Sequence, residues 1–180
     1  MDGRFLNDET KQKLRRHRDQ RRLAASAVST WVLGLLIAAV IFLNLFTHVL
    51  QVVNYNGRGM EPNLHSGQIL LIHRTREVEE GDIIAFYYNN QVLVRRVICQ
   101  GGKQLAIADD GTVSINSAAL EEPYLEQRSL GQCNLTFPYP VAAGSVFVMG
   151  DNRAVAMDSR LAEIGPVPLE RIIGKVIFAI

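Results

Sequence analysis

Few side chains in this sequence carry the chemistry of a hydrolase, and two that do are neighbours, His65 and Ser66. A serine beside a base is the arrangement that nucleophilic catalysis uses. Neighbouring residues on an extended chain point to opposite faces, so adjacency in sequence does not bring these two side chains together. We interpret the "HSG" segment, residues 65–67, as a turn before a strand. The sequence has no spacing typical of metal ligands, and we expect neither a metal nor a cofactor.

Three longer segments combine glycines, prolines and charged residues: "NGRGMEPNL" (Asn56–Leu64), "GDIIAFYYNNQVLVRRVICQGG" (Gly81–Gly102) and "VMGDNRAVAMDSR" (Val148–Arg160). They resemble the sequence blocks of the type I signal peptidases, the membrane-anchored Ser/Lys endopeptidases that remove signal peptides from exported proteins. The first is similar to the family's Ser-Met-x-Pro-x-Leu box. The second is similar to its Gly-Asp strand and Lys-Arg-Val-Ile turn, and the third to its Gly-Asp-Asn-Arg…Asp-Ser-Arg box. The resemblance covers essentially the whole chain and is to the Gram-positive type.

The resemblance places altered residues at three of the family's catalytic positions. The nucleophilic serine falls on Gly59, the lysine that acts as its general base falls on Arg95, and the serine that helps to orient this lysine falls on Ala156. Glycine has no side chain with which to form an acyl-enzyme. A guanidinium stays protonated at physiological pH and takes up no proton. We therefore expect the protein to be inactive as a peptidase.

Other positions of the three blocks match the family. They are Met60, Pro62, Leu64, Arg96, Gly150, Asp151, Asn152, Arg153, Asp158, Ser159 and Arg160. By resemblance, Asp158 and Arg160 form an ion pair that braces the wall of the site. Met60 and Pro62 suggest an apolar shelf, which in the family holds an extended peptide by strand addition. Binding would then outlive catalysis.

The "GDNR" turn, residues 150–153, has a structural interpretation. We expect Gly150 to serve its backbone, and Asp151 and Asn152 to make hydrogen bonds from side chain to backbone. Ser159 is expected to form a hydrogen bond within a turn. These features would stabilise the fold whether or not a nucleophile is present.

Short runs rich in β-branched and aromatic residues predict that strands position these segments. The first three, Gln68–Arg74, Asp82–Tyr88 and Gln91–Cys99, are predicted to form a meander. A "DDG" turn predicts a hairpin after them, and "SVFVMG" and "IIGKVIFAI" are predicted as further strands. We predict a mainly β protein: an antiparallel β domain similar to that of signal peptidases, on one amino-terminal transmembrane helix.

An uncharged apolar stretch precedes this domain, because no Asp, Glu, Lys or Arg occurs between Leu23 and Gly57. Roughly 20 helical residues are enough to cross a bilayer core of about 30 Å. A cleavable signal peptide would have a shorter apolar region of about 7 to 15 residues, and a buried helix of this length would be hard to cover in so small a protein. We predict an uncleaved anchor over residues 24–52 and an extracytoplasmic domain over residues 53–180.

The segment before the anchor, residues 1–23, is basic, although the whole chain has a net charge of only +1. So small a net charge excludes a global field that draws the protein to nucleic acid. The positive-inside rule predicts a cytoplasmic amino terminus in a single-pass protein of the plasma membrane. RNA binding by this basic run, or a solvated helix, is the alternative, but next to an apolar span we favour the role in topology and expect no nucleic acid as a partner. A DNA-binding arm, as in self-cleaving repressors with the Ser/Lys fold, is disfavoured because no helix-turn-helix domain fits before the apolar stretch.

Two functional hypotheses follow. In the first, the protein is a non-catalytic signal peptidase relative that binds exported polypeptides or signal peptides beside the lipid bilayer. Some dyad-less relatives in Gram-positive bacteria look like chaperones for pilin subunits, so pilin or sortase machinery is a partner by analogy. In the second, it is an active signal peptidase I with an unrecognised nucleophile. Whether Cys99 and Cys133 form a disulfide in the exported domain is left open.

Overall fold

The computed structural model describes residues 30–44, 46 and 48–180. The chain divides into two units at the junction between Thr47 and His48. In the first unit, residues 30–44 are helical. No helix within the described residues combines the length and the apolar character that crossing a membrane requires. The predicted basic segment lies outside the described residues, and so does part of the predicted anchor.

The second unit is built from eleven strands and one short 3-10 helix, Leu169–Arg171. The strands are β1 (Leu50–Asn54), β2 (Ile69–His73), β3 (Ile83–Tyr88), β4 (Gln91–Gln100), β5 (Gln104–Ile107), β6 (Val113–Ile115), β7 (Ala118–Ala119), β8 (Tyr139–Pro140), β9 (Ser145–Met149), β10 (Val167–Pro168) and β11 (Ile172–Ala179). They form a seven-stranded sheet in the order β1-β2-β11-β3-β4-β9-β10 and a four-stranded sheet in the order β7-β6-β5-β8. Neighbouring strands pair antiparallel throughout. The mainly antiparallel β prediction is therefore confirmed.

The predicted meander is wrong at its first step. β3 and β4 form the expected hairpin, with Ile84 opposite Arg95. β2, however, pairs with β1 and β11, and β11 lies between β2 and β3. The connection between β2 and β3, residues 74–82, is longer than the 2–5 residues of a typical hairpin loop. This long connection leaves room for β11 to pair with β2 along one edge and with β3 along the other.

Strand β1 was not anticipated from the sequence. It begins at Leu50, inside the stretch assigned to the anchor. It was missed because the run Leu50–Val53 is equally compatible with the end of an apolar helix and with a strand. β1 leads directly into residues 55–64, which we call the Gly59 loop. The position of this loop is thus set by an edge strand of the large sheet.

The Gly59 loop is held by the core rather than by surface contacts. Tyr55, Met60 and Leu64 are buried in one cluster with residues of β2, β3, β4 and β11. Full burial of side chains of this size stabilises by roughly 1.5–3 kcal/mol each. The loop is therefore anchored at its start, middle and end, and Gly59 lies between anchored residues.

Candidate functional site

The backbone of the Gly59 loop is fixed by local hydrogen bonds. The Leu64 N–H donates to the carbonyl oxygen of Met60 (2.9 Å). The Met60 N–H donates to the hydroxyl oxygen of Tyr55 (3.1 Å), which is itself buried. Burial raises the pKa of Tyr55 and the nearby charge of Arg95 opposes that rise. Since Met60 is fully buried in the core, it supports the loop from the core side and presents no surface to a peptide.

Arg95 lies directly against Gly59. A Cβ placed on residue 59 would stand 3.2 Å from Cζ and Nη2 of Arg95 and 3.3 Å from Nη1. Few real Cβ atoms have contacts this close, so the guanidinium takes up the space that a side chain at residue 59 would need. The structure thus brings together the two positions that the resemblance assigns to the nucleophile and the base.

Two backbone carbonyls hold the Arg95 guanidinium in place. Its Nε donates to the oxygen of Met157 (2.9 Å), and Nη1 donates to the oxygen of Val94 (2.6 Å). Only 7% of Arg95 is exposed. Burial lowers its pKa and Asp158 opposes this effect, but a guanidinium of such high intrinsic pKa remains charged.

Ala156 is linked to Gly59 through the GDNR turn. Its N–H donates to the oxygen of Asn152 (3.0 Å), and the Asn152 N–H donates to the oxygen of Gly59 (3.0 Å). A Cβ on Gly150 would lie 2.4 Å from the Gly59 oxygen and 2.3 Å from the Ala156 Cβ. Gly150 is therefore required because the Gly59 loop and Ala156 both approach its Cα.

Asp158 and Arg160 form the ion pair that the resemblance implies. Arg160 Nε and Nη2 each donate to one Asp158 oxygen at 2.8 Å, and both side chains are fully buried. Asp158 also accepts from the Gly150 N–H (2.9 Å). Ser159 accepts from the Val148 N–H (3.0 Å), so its hydrogen bond reaches strand β9 and does not lie within a turn as expected. This cluster ties the GDNR turn to its flanking segments.

The expected side chain to backbone bonds of Asp151 and Asn152 are wrong in detail. Asp151 instead forms a two-point ion pair with Arg96, at 2.8 Å from Nε and 2.6 Å from Nη2, and accepts from Asn63 (2.8 Å). Asn152 contributes through its backbone. Sequence reasoning missed these partners because Asn63, Arg96 and Asp151 are far apart along the chain.

A second buried ion pair was also missed. Arg153 contacts Glu122 through both terminal nitrogens and donates from Nε to the Gly150 oxygen (3.1 Å). The Tyr124 hydroxyl donates to Glu122 (2.9 Å), and its ring lies 4.1 Å from the guanidinium carbon of Arg96. The segment "EEPYL", residues 121–125, is thereby fastened over the GDNR turn.

A cavity of about 150 Å³ lies beside the Gly59 loop and the GDNR turn. It is lined by Glu61, Pro62, Glu126, Gln127, Ser129, Asp151, Asn152, Arg153 and Ala154. Pro62 of the Gly59 loop is half-buried at this cavity. Four of its lining residues, Pro62, Asp151, Asn152 and Arg153, are among those singled out from the sequence.

The adjacent His65 and Ser66 do not form a catalytic pair. His65 is exposed, and its carbonyl oxygen accepts from the Gln68 N–H (3.3 Å). Ser66 Oγ accepts from the Gly57 N–H (3.3 Å). The interpretation of "HSG" as a turn before a strand is confirmed, because β2 begins at Ile69.

The two cysteines are free thiols, with Cys99 buried and Cys133 half-buried. Cys99 packs in the cluster between the two sheets. Burial, with a smaller contribution from Glu80, raises the pKa of its thiol to about 11.

The family profile and the sequence relatives agree on one family. The profile described as "Signal peptidase, peptidase S26" matches residues 28–180. The chain is 34% identical over 157 residues to a signal peptidase I of Bacillus licheniformis, covering 80% of this chain and 83% of that protein. It is 33% identical over 158 residues to signal peptidase I T of Bacillus subtilis, covering 80% of each. The crystal structure of a signal peptidase I from Enterococcus faecalis aligns with 30% identity and a TM-score of 0.47, over 55% of this chain and 96% of that one.

Proposed function

Because this chain belongs to the signal peptidase S26 family, we propose that it is a non-catalytic member that binds exported polypeptides at the membrane. One observation carries the proposal: the charged Arg95 guanidinium lies against Gly59, where the resemblance puts the lysine and serine of a peptidase. The site would have lost its chemistry and retained its frame.

The chemical argument is direct. Gly59 offers no nucleophile, and Arg95 accepts no proton at physiological pH. Loss of the nucleophile or base of a serine protease costs on the order of 10⁴ to 10⁶ in turnover. Beyond residue 13 the sequence has only two lysines, and these are Lys103, paired with Glu80, and Lys175, paired with Asp82. Both are committed to carboxylates, so neither is a substitute base.

The frame around the site supports continued binding. The pairs Arg153–Glu122 and Arg160–Asp158 are fully buried, and each holds the GDNR turn in place. Breaking such a pair by removing one partner costs about 3–5 kcal/mol. An arrangement this stable keeps the walls of the site in position without help from a catalytic serine.

The membrane location is part of the proposal. We infer that the apolar stretch before β1, residues 24–49, anchors the protein, that residues 1–23 stay on the cytoplasmic side, and that the β domain faces outward. One face of the large sheet supports this, since Val52 of β1, Ile69 of β2 and Phe178 of β11 are each at least half exposed. Exposed apolar clusters of this kind are typical of surfaces that meet a membrane or a partner.

The bound polypeptides are exported chains, and we include pilin subunits by analogy with dyad-less relatives. Photo-crosslinking in living cells tests this. The probe belongs at Arg58, whose side chain is 79% exposed beside Gly59, and not at the buried Met60. A probe at Glu170, outside the site, is the matched control. Capture of exported chains from residue 58 and not from residue 170 is expected, and equal capture from both would contradict specific binding here.

A cleavage assay tests the loss of catalysis. The full chain in detergent micelles is incubated with a preprotein that the Bacillus licheniformis relative cleaves under the same conditions. No product above the uncatalysed background is expected. Cleavage at a rate comparable to that of the relative would make the protein an active peptidase and would end the proposal.

A further inference from the structure

We propose that the emptied site binds a carboxylate group of an exported polypeptide, held by the Arg95 guanidinium beside Gly59. The inference rests on the proposed function, because it names the chemical group that such a polypeptide would present. The carboxylate is either the free carboxy terminus of the chain or the side chain of an Asp or Glu within it.

The first argument is the balance of charge around the site. Arg96, Arg153 and Arg160 are each paired with their own carboxylate, which are Asp151, Glu122 and Asp158 in turn. Arg95 makes no ion pair with any carboxylate of the described residues. Four guanidinium groups therefore share three carboxylates, and one positive charge is left over.

The unpaired charge of Arg95 is energetically unfavourable because the residue is more than nine-tenths buried. Arg95 has exchanged water for two neutral carbonyl partners, and a buried cation without an anion is not fully compensated for its lost hydration. The nearest carboxylates are already engaged, since Asp158 accepts from Arg160 and from the Gly150 N–H. An anion from outside the chain would complete the balance.

The second argument is the set of hydrogen-bond donors. Arginine has five N–H donors, and Arg95 uses Nε for Met157 and Nη1 for Val94. Nη2 donates to no described residue, yet every fully buried side-chain nitrogen of the described residues has a partner. Nη2 is therefore not sealed from solvent. A bond from a charged donor to a carboxylate is about twice as strong as a neutral one.

The third argument is access, which Gly59 provides. A Cβ at residue 59 would stand 3.2 Å from Nη2, so any side chain there would crowd the approach to this nitrogen. Met157, whose carbonyl oxygen accepts from Arg95 Nε, has a side chain that is more than half exposed and provides apolar surface close to the guanidinium. A carboxylate that approaches Nη2 would meet no side chain at residue 59.

The experiment measures the affinity of three fluorescein-labelled peptides for the full chain in detergent, by fluorescence anisotropy at low salt. The peptides are hexa-alanine with a free carboxy terminus, the same peptide as its amide, and an amide with aspartate as the last residue. We expect at least about ten-fold tighter binding of a carboxylate-bearing peptide than of the hexa-alanine amide. The two carboxylate-bearing peptides distinguish the terminus from a side chain as the source.

Variants locate the effect. Arg95→Met is expected to lower the affinity for the preferred peptide to that of the amide, while Arg95→Lys retains part of the preference. Arg171→Gln is the control, because it removes an exposed arginine of the 3-10 helix, outside the Gly59 loop and the GDNR turn, and should leave the preference unchanged. Circular dichroism establishes that each variant is folded, and the comparison of the three peptides on the unaltered chain needs no variant.

The outcomes separate this inference from the proposed function. Equal binding of amide and carboxylate peptides overturns the carboxylate site and leaves polypeptide binding standing. A carboxylate preference that persists in a folded Arg95→Met protein also overturns it. Absence of binding by all three peptides counts against both.

Discussion

The guanidinium of Arg95 lies 3.2 Å from the point where a Cβ on residue 59 would stand, so Gly59 and Arg95 fit each other as a pair. Two backbone hydrogen bonds keep Arg95 from moving away. The two residues are therefore coupled, and a change at one alters what the other position tolerates.

A double-mutant cycle measures the coupling. Gly59→Ala is expected to destabilise the protein by about 1–3 kcal/mol, because the new methyl group meets the guanidinium. In an Arg95→Met background the same change should cost less, since a flexible thioether gives way. Urea unfolding of the full chain, followed by circular dichroism, gives the four free energies. Additive effects within about 0.5 kcal/mol would show that the two positions are independent.

Introduction of the three residues that the family has at these positions tests whether the frame supports catalysis. We expect the triple variant Gly59→Ser, Arg95→Lys and Ala156→Ser to cleave a preprotein, because the GDNR turn and its ion pairs are intact. Gly59→Ser alone should stay inactive, since its serine has no base and meets Arg95. Product formation over time is the measurement. A folded triple variant without activity would place a further defect outside these three positions.

The Asp158–Arg160 pair is expected to contribute strongly to the stability of the segments around the GDNR turn. Asp158→Asn leaves the Arg160 charge buried without a partner, so unfolding free energy should fall by about 3–5 kcal/mol. Glu61→Gln removes one partner of the exposed Arg58–Glu61 contact and should change it by no more than about 1 kcal/mol. Urea midpoints of the two variants make the comparison. Equal effects would mean that burial of the pair does not matter.

The two thiols should differ sharply in reactivity. At pH 8 iodoacetamide is expected to modify Cys133 and to spare Cys99, which is buried and whose pKa burial raises to about 11. Mass spectrometry locates the modified residue, and labelling after urea unfolding is the control for Cys99. Labelling of both thiols at one rate in the folded protein would contradict the buried position.

The raised pKa of the Cys99 thiol predicts how the stability of the protein changes with pH. An unfolded cysteine thiol loses its proton near its ordinary value of 9.0, and the folded one near 11. The folded state therefore retains this proton more tightly, and the associated stability is complete below about pH 9. It should be lost as the pH rises from about 9 to 11. A Cys99→Ala variant should show a weaker decline over this window.

Local patterns predicted much of this protein. The hairpin of β3 and β4 follows from two β-rich runs joined by a tight turn, and the "HSG" turn follows from its residues. The Asp158–Arg160 pair came from resemblance and is two residues apart in sequence. Partners distant in sequence were missed: Asp151 with Arg96, and Arg153 with Glu122. No local periodicity encodes such pairings.

The sequence by itself determined the class of fold, the family blocks and the identities of Gly59, Arg95 and Ala156, because these depend on residue type and on order along the chain. Only the tertiary structure decided that the Arg95 guanidinium lies against Gly59, that Met60 is buried, and that Arg95 forms no ion pair with a carboxylate of the described residues. These facts depend on how β1, β4 and the GDNR turn meet in space. Contacts between segments so far apart in sequence arise from the packing of the whole sheet and its core, which local propensity does not specify.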